Sequence, residues 1–400
     1  MAEIALDGVR VLDLTHHIAG PYCTKLLADF GADVVKIERV GSGDPARSMG
    51  PFFHDEEDAE HSLPFLYLNT NKRSITVDLK SGPGREIVGS LASEFDVLVE
   101  NFSPRVMPSL GLGYEELRRL NPRLVVVSIS NFGQTGPYRD YRATDIIEYA
   151  LGGLMYIMGS NDREPLKHAL HQAQFKAGVN AAGAVLIALY GAQMTGEGRH
   201  IDVSIQECIA SSLRDTTSMY TYMGAVKRRQ PQHSGDIPRN PVETKDGYAV
   251  PIAFGAVKWE TIADFLESPE LTSPRFATVE ARSEHAQEFD EIVTDAFRSR
   301  YKWDLFHAAH RRRGLIYGVV QSPEEMVRNP QFQARGYFKE IDHPAVGKAT
   351  YPGAPFLMSK TPWDARSPAP TLGQHNHDVL GGFLGFPDHE LARLRDKGAV

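Results

Sequence analysis

From Val9 to Ser130, short apolar runs alternate with longer segments of helical period, and this alternation narrows the choice of fold more than any other pattern in the chain. Val9–Leu14 reads as a strand. Gly20-Pro21 then opens a helix through Phe30, with proline near the first turn, where its missing N–H costs nothing. Gly31 closes that helix, and Asp33–Glu38 (DVVKIE) is the next strand. Two strands joined through a helix form a βαβ unit, which implies a parallel sheet. The pattern recurs as a Ser74–Val77 strand, a Gly84–Phe95 helix, an Asp96–Val99 strand and a Tyr114–Leu120 helix. Leu124–Ser130 (LVVVSIS) closes the series as a nearly continuous apolar strand, of the kind buried on both faces. The first 130 residues are therefore expected to form a Rossmann-like layer. Its first turn, THHIAGP, carries neither G-x-G-x-x-G nor G-x-x-x-x-G-K-[ST], so the fingerprints of dinucleotide and P-loop binding are absent.

Beyond this layer, Asp145–Met158 reads as a helix with Gly152-Gly153 near its middle, and Glu207–Met223 as another. Between them, Gln174–Met194 is predicted to be one buried helix. Ala177, Gly178, Ala181, Ala182 and Gly183 give it a stripe where another backbone can approach, and Leu186, Ile187 and Leu189 give it an apolar anchor. Thr195-Gly196-Glu197-Gly198 ends it, and His200–Ile205 alternates like a strand. The start of this helix gathers unpaired N–H groups and the positive pole of its dipole, a setting that stabilises an oxyanion or carboxylate.

At 400 residues two domains are the default expectation. The texture changes at Val226–Val242, a polar, proline-bearing linker. A smaller α/β unit follows, with strands at Tyr248–Ala253 and Leu315–Val320 and helices near Lys258–Leu266, Glu284–Arg300 and Trp303–Arg312. From about Asn329 the chain is extended but rich in large apolar residues, so it is expected to wrap back over the first domain.

Composition limits the partners. A net charge of −8 argues against nucleic acid or an anionic membrane as a bulk partner. Cys23 and Cys208 alone cannot build a disulfide framework or a multi-cysteine zinc site, which suits a reducing cytoplasm. No window reads as long enough to span a membrane, and a cytoplasmic location with no membrane partner is expected. His16-His17 lacks a third ligand at useful spacing, and the remaining histidines fit no zinc pattern, so no metal site is expected. Asp13, Asp145 and Asp202 follow strands or open helices, where carboxylates cap and turn. Basic residues flank the early strands: Arg39 and Arg47, Lys72-Arg73, and Arg105. Positive charge at the carboxyl ends of parallel strands suits a phosphate-bearing, adenine-type ligand, although a solvated rim on an acidic protein has the same look.

Several segments, in order, resemble the family III CoA-transferases, the group of formyl-CoA transferase, carnitine CoA-transferases and α-methylacyl-CoA racemase. They are Val11–Glu38 followed by G-S-G-D-P-A-R, L-N-T-N-K-R-S-I-T-V-D-L-K, V-E-N-F, N-P-R-L-V-V-V-S-I-S with F-G-Q-T-G-P-Y, T-G-E-G-R-H-I-D-V-S-I-Q-E, and L-G-Q-H-N-H-D-V-L near the C-terminus. The resemblance covers nearly the whole chain. It implies an α/β fold with a Rossmann-like large domain (residues 1–224 and 330–400), a smaller inserted α/β domain (225–329), and two subunits interlocked like links of a chain. It implies that coenzyme A or an acyl-CoA is bound as substrate, with no tightly held cofactor and a carboxylic acid as the second reactant. By motif position His17, Ile18, Arg39, Lys72 and Arg73 would lie against the CoA, and Arg105 is added from its place after V-E-N-F-S-P.

In catalysing members of the family an aspartate attacks the thioester. A mixed anhydride forms, CoA thiolate returns to give an aspartyl-CoA thioester, and the acceptor carboxylate takes the CoA. That aspartate stands four residues before a glycine at the start of the small-residue helix. Gly178 fits the glycine, which places Gln174 at the nucleophile position. An amide cannot form the anhydride. Thr144 stands where some transferases have tyrosine and the racemase its histidine, and Val226–Val242 has no tetraglycine lid. The chain is expected in a homo- or hetero-oligomer with a homologous subunit, and three readings of its chemistry follow: a subunit of a hetero-oligomeric transferase whose homologous partner supplies the aspartate, a transferase using another carboxylate (Asp145, Asp162 or Glu164), or a non-catalytic acyl-CoA binder. The first is preferred. The acyl pocket is expected near Phe132, Tyr149, Met155 and Met158.

Overall fold

The structure, a computed structural model, describes residues 4–229, 241–253, 259–312 and 315–400. The central feature is a six-stranded sheet of β1 (Arg10–Asp13), β2 (Asp33–Glu38), β3 (Lys72–Thr76), β4 (Val97–Glu100), β5 (Val125–Ser130) and β6 (His200–Ser204). Their order in the sheet is β3-β2-β1-β4-β5-β6, and every pairing is parallel. This is the doubly wound arrangement expected from the βαβ alternation. The chain reverses direction across the sheet between β1 and β4, and a crevice opens there at the carboxyl ends of the strands. β4 and β5 are buried at every position, the polar Glu100, Ser128 and Ser130 included, as their mainly apolar sequence leads one to expect.

The helices of this part are α1 (Ala19–Asp29), α2 (Leu63–Leu68), α3 (Gly82–Glu94), α4 (Val106–Ser109), α5 (Tyr114–Leu120), α6 (Asp145–Leu151), α7 (Gln172–Thr195), α8 (Ile205–Ala210) and α9 (Arg214–Met223). One core lies between the sheet and α1 and α7, built from Val11, Leu27, Val34, Val99, Val127, Ala177, Ala181 and Val185 among others. The other face buries Leu12, Val35, Ile75 and Leu98 with Val88 of α3 and with the C-terminal helices Asn376–Gly382 and Asp388–Asp396.

The small-residue stripe of α7 receives α1. A Cβ built on Gly178 would come within 2.6 Å of the Ala19 carbonyl oxygen and 3.1 Å of Tyr22. The anchor expected at Leu186 and Ile187 lies elsewhere: both are exposed, Ile187 by 76%, and the buried side carries Val185, Ala188 and Ala192. From Ala181 to Leu189 the helix carries no polar side chain from which to read its orientation. α7 is also long and apolar enough to cross a membrane, contrary to the expectation that no segment is, yet its packing against α1 and β5 makes it a core helix of the sheet layer. The single helix expected over Asp145–Met158 breaks at Gly152-Gly153. Gly153 takes a left-handed φ of 82°, and a short 3-10 turn, Leu154–Ile157, follows.

The chain divides into two compact units: residues 1–158, 165–227 and 336–400, and residues 159–164 and 228–335. The second has its own core, including Phe265, Phe276, Phe289, Val293, Phe297 and Leu305 around a three-stranded antiparallel sheet (Val242–Thr244, Gly247–Ala253 and Leu315–Val319). Residues 230–240 of the polar linker, where the lid motif was sought, and Lys258 lie outside the described residues. The tail from Gly336 binds along the first unit. Trp363 Nε1 donates to Asp29, Arg366 to the Ala28 carbonyl, and Asn71 Oδ1 accepts from the backbone N–H groups of Arg366 and Ser367. At the open side of β3, Ser74 N donates to His375 Nδ1 and Thr76 N to Asn376 Oδ1.

Candidate active site

A cavity of about 680 Å³ opens at the carboxyl ends of β1, β4, β5 and β6, at the switch point of the sheet. The turn after β1 brings His17 and Ile18, the loop after β4 brings Asn101 to Arg105, and the loop after β5 brings Asn131 and Arg139 to Asp145. α7 contributes Gln174 and the residue before it begins, His171.

Buried charge fixes the β1 turn. Asp44 Oδ1 accepts from the backbone N–H of His17 (2.9 Å), and its other oxygen pairs with Lys36 Nζ (2.8 Å), which also donates to the Thr15 carbonyl. Asn101 clamps the same turn from β4, accepting from His16 N and donating to His16 O, both at 2.8 Å. Below the turn, Asp13 accepts from Thr15, Thr24 and Lys72. Burial alone would raise its carboxyl, but Lys72, Lys36 and the two hydroxyls outweigh that and hold it well below the usual carboxylate range. The two adjacent histidines separate in role. His16 is buried against the edge of Phe102, where burial lowers its pKa to about 4 and keeps it neutral, while His17 turns outward at φ 64° into the cavity.

Among the residues expected against CoA, the structure brings His17, Ile18 and Arg105 together with Gln174 in one cavity. Arg39 is exposed just past the carboxyl end of β2 and is not part of this lining. Lys72 and Arg73 are placed differently from the expectation, because both begin β3 and so start from the amino edge of the sheet. Lys72 has no exposed side-chain surface, and its ammonium is taken up by Asp13 (3.0 Å), the Pro21 carbonyl (2.9 Å) and Asn69 (2.9 Å). Arg73 forms a two-pronged pair with Asp33 at the start of β2. Arg47 is likewise internal, paired with Glu38 and Glu60 and stacked over Phe65. The reason is general: a lysine or arginine within a strand reads the same in sequence whether it meets a ligand or a buried carboxylate. The cavity takes its charge from residues that sequence reasoning passed over, Arg139 and Arg142, with Arg105. Arg105 and Arg139 share Asp140, at 2.6 and 3.5 Å. Their signal was present in Y-R-D-Y-R, within the loop that follows a buried strand.

Phe132, Tyr149, Met155 and Met158, expected near the acyl group, do not line this cavity. Tyr149 is a core residue, Met155 packs on the same core, and Ile18, Met49, Phe102, Ile129 and Ile205 supply the apolar lining instead. Of the alternative carboxylates, Asp162 and Glu164 are exposed and belong to the second unit. Asp145 lines the cavity but is committed. Its Oδ1 accepts from Ala173 N (2.9 Å) and Gln174 N (3.4 Å), capping α7, and its Oδ2 pairs with Lys167 (3.0 Å). A carboxylate missed in the sequence stands beside Gln174. Glu148, on α6 and fully buried, accepts from Gln174 Nε2 at 2.7 Å. The Asn131 amide, turned so that both its ends are satisfied, donates to the other Glu148 oxygen at 2.9 Å and accepts from Ala143 N. Burial pushes the Glu148 carboxyl up to about 7, against the opposing hydrogen bond from Gln174 and with help from the Asp145 charge.

A doubly wound parallel sheet with an arginine-bearing cavity at its switch point defines the chain as an α/β protein of the Rossmann-like class. Comparison with known proteins sharpens that class. CoA-transferase family III matches residues 6–376, and the chain belongs to this family and is a CoA-transferase enzyme. It is 35% identical over 398 residues to the succinyl-CoA–D-citramalate CoA-transferase of Chloroflexus aurantiacus, covering 99% of this chain and 98% of that one. It is 33% identical over 400 residues to the human succinyl-CoA:glutarate CoA-transferase, covering 99% and 90%. A crystal structure of a CaiB/BaiF family protein from Brucella suis superposes with a TM-score of 0.85 at 30% identity, over 95% of this chain and 99% of that one.

Proposed function

We propose that the chain binds an acyl-CoA in the cavity at the carboxyl ends of β1, β4 and β5 and transfers its CoA to a small dicarboxylic acid. The observation that carries this reading is the lining itself. Three arginines, Arg105, Arg139 and Arg142, stand at one side of a cavity whose other walls are the His17–Ile18 turn and the apolar side chains of Met49, Phe102 and Ile129. Guanidinium groups suit both the phosphates of CoA and the second carboxylate of an acceptor. Relatives named for succinyl-CoA with D-citramalate or glutarate support that substrate class. His17, Ile18, Arg105, Arg139 and Arg142 are the contacts proposed here, with Arg39 reaching the ligand from the neighbouring strand end. Lys72 and Arg73 are proposed as structural.

Calorimetry with CoA and with dephospho-CoA tests the binding, followed by transfer from succinyl-CoA to glutarate and to D-citramalate. Weaker binding of dephospho-CoA and transfer to a dicarboxylate are expected. Equal affinity for both nucleotides removes the 3′-phosphate argument, and absence of CoA binding removes the reading. The neutral Gln174 favours a second reading, in which a homologous partner chain supplies the attacking carboxylate. Transfer that appears only with such a partner present would support it over transfer by this chain alone.

A further inference from the structure

We infer that Glu148 is the carboxylate that takes the acyl group, supplied from α6 in place of a nucleophile on α7. This rests on the CoA-transferase reading of the cavity and names the residue that performs it. Both Glu148 oxygens are held by side-chain amides, Asn131 at 2.9 Å and Gln174 at 2.7 Å, and both amides line the cavity, so the carboxylate lies one side chain behind its wall. Among the described residues no lysine, arginine or histidine forms an ion pair with it, so the fold maintains a buried carboxyl group with no cation to offset its desolvation. Asp13, Glu38 and Asp44 are buried beside a cation, and Glu100, also buried without an ion pair among the described residues, accepts from Phe102 N and does not line this cavity. Asp145, the other acid at the cavity, is occupied in capping α7 and pairing with Lys167.

Gln174 covers Glu148 on the cavity side. Its side chain is half-buried, and among the described residues its amide nitrogen donates to Glu148. Rotation of that amide presents the Glu148 oxygen to a thioester carbonyl in the cavity. An oxygen of ionised Glu148 then bonds to the carbonyl carbon. The carbon–sulfur bond breaks, and its electron pair leaves as CoA thiolate. The thiolate attacks the Glu148 carbonyl of the mixed anhydride, releasing the first acid as its carboxylate and leaving a glutamyl-CoA thioester. The acceptor carboxylate attacks that thioester, and thiolate return to the new anhydride gives the product acyl-CoA and restores the Glu148 carboxylate. Every step exchanges one acyl bond for another, and no oxidant or further reactant is consumed.

The test uses the full chain with succinyl-CoA, after calorimetry has shown that it binds. Borohydride reduction during turnover, followed by peptide mapping, should find the reduced residue at Glu148. Glu148→Gln should abolish the adduct and lower transfer about a thousandfold while CoA affinity stays within about twofold, the pattern of a lost reacting group rather than a lost binding contact. Glu148→Asp should keep a trappable adduct, now on the aspartate, and serves as the readout if Glu148→Gln does not fold. A reduced residue at any other position overturns the assignment, as does bound succinyl-CoA with no adduct on this chain, which places the nucleophile on a partner. Failure to bind CoA is a different result, and it overturns the cavity reading beneath the assignment.

Discussion

Replacing Lys72 with methionine separates a structural lysine from a ligand-binding one. The ammonium donates to three protein oxygens at 2.9–3.0 Å with no exposed side-chain surface. Lys72→Met keeps most of the aliphatic volume, so the change isolates the charge. Deleting one partner of a buried ion pair costs roughly 3–5 kcal/mol, because the remaining charge stays buried. Asp13 keeps Thr24 at 2.6 Å, the Thr15 N–H at 2.9 Å and the nearby charge of Lys36, which draws the cost to the low end of that range. Pro21 O and Asn69 Oδ1 lose a donor, which adds on the order of 1 kcal/mol. The expected loss is about 4 kcal/mol, or roughly 8 °C in Tm at about 2 °C per kcal/mol for a large domain. Urea and thermal unfolding measure it, and calorimetry should find CoA affinity in the folded variant within about twofold of the parent, since no ligand contact is removed. An unchanged midpoint with a tenfold or greater loss of affinity would show that Lys72 faces the ligand and would refute this account of the β1 turn.

Four further outcomes are expected. Transfer should rise with pH through about 7 and fall below it, because Glu148 must be ionised to attack and burial holds its carboxyl at about 7; a profile flat from pH 5.5 to 8 would contradict this. Glu100 is also held up to about 7 by burial, so the folded state retains its proton where the unfolded chain has lost it. Its contribution is full below the ordinary glutamate pKa and is lost as pH rises through about 7, a swing of about 3 kcal/mol that Glu100→Gln should remove from the pH dependence of urea stability. Gly178→Val should destabilise by roughly 2–3 kcal/mol in urea, since its Cβ would lie 2.6 Å from the Ala19 carbonyl oxygen. Light scattering should give a dimer or larger species, because Val179, Ile187, Tyr190 and Met194 on α7 and Tyr222 and Met223 on α9 form exposed apolar faces suited to a second copy, and a monomeric mass in dilute solution would defeat that expectation.

The sheet was legible in the sequence because its strands are short, apolar and separated by helices with clear ends. Asp33–Glu38 and Tyr114–Leu120 fall where the pattern puts them. The stripe of α7 at Ala177, Gly178, Ala181 and Ala182 was legible, but its later half was not, since apolar residues there lie on both the buried and the exposed side. Site residues divided along the same line. His17, Ile18, Arg105 and Gln174 share a cavity because motif position reports backbone placement in a common fold. Lys72 and Arg73 do not, because the ionic partner of a lysine or arginine is decided by side-chain packing across β1, β2 and β3. Glu148 was passed over for a related reason. On α6 it sits between Ile147 and Tyr149 with no motif around it, and only the approach of α7 sets it against Gln174.

The closure of β3 has a consequence for how the chain is made. This edge strand offers its backbone N–H groups at Ser74 and Thr76 to His375 and Asn376, some 300 residues later. On a ribosome adding about 5–20 residues per second, β3 is synthesised roughly 15–60 s before the residues that cover it. Throughout that interval a strand bordered on one side by β2 presents its other side to any passing chain. The basic pair that opens it, Lys72 and Arg73, makes stacking against an identical nascent strand unfavourable, since like charges would meet in register. Charges that pair with Asp13 and Asp33 in the folded chain can thus also serve the protein before it is finished, by keeping its last open seam from closing on a neighbour.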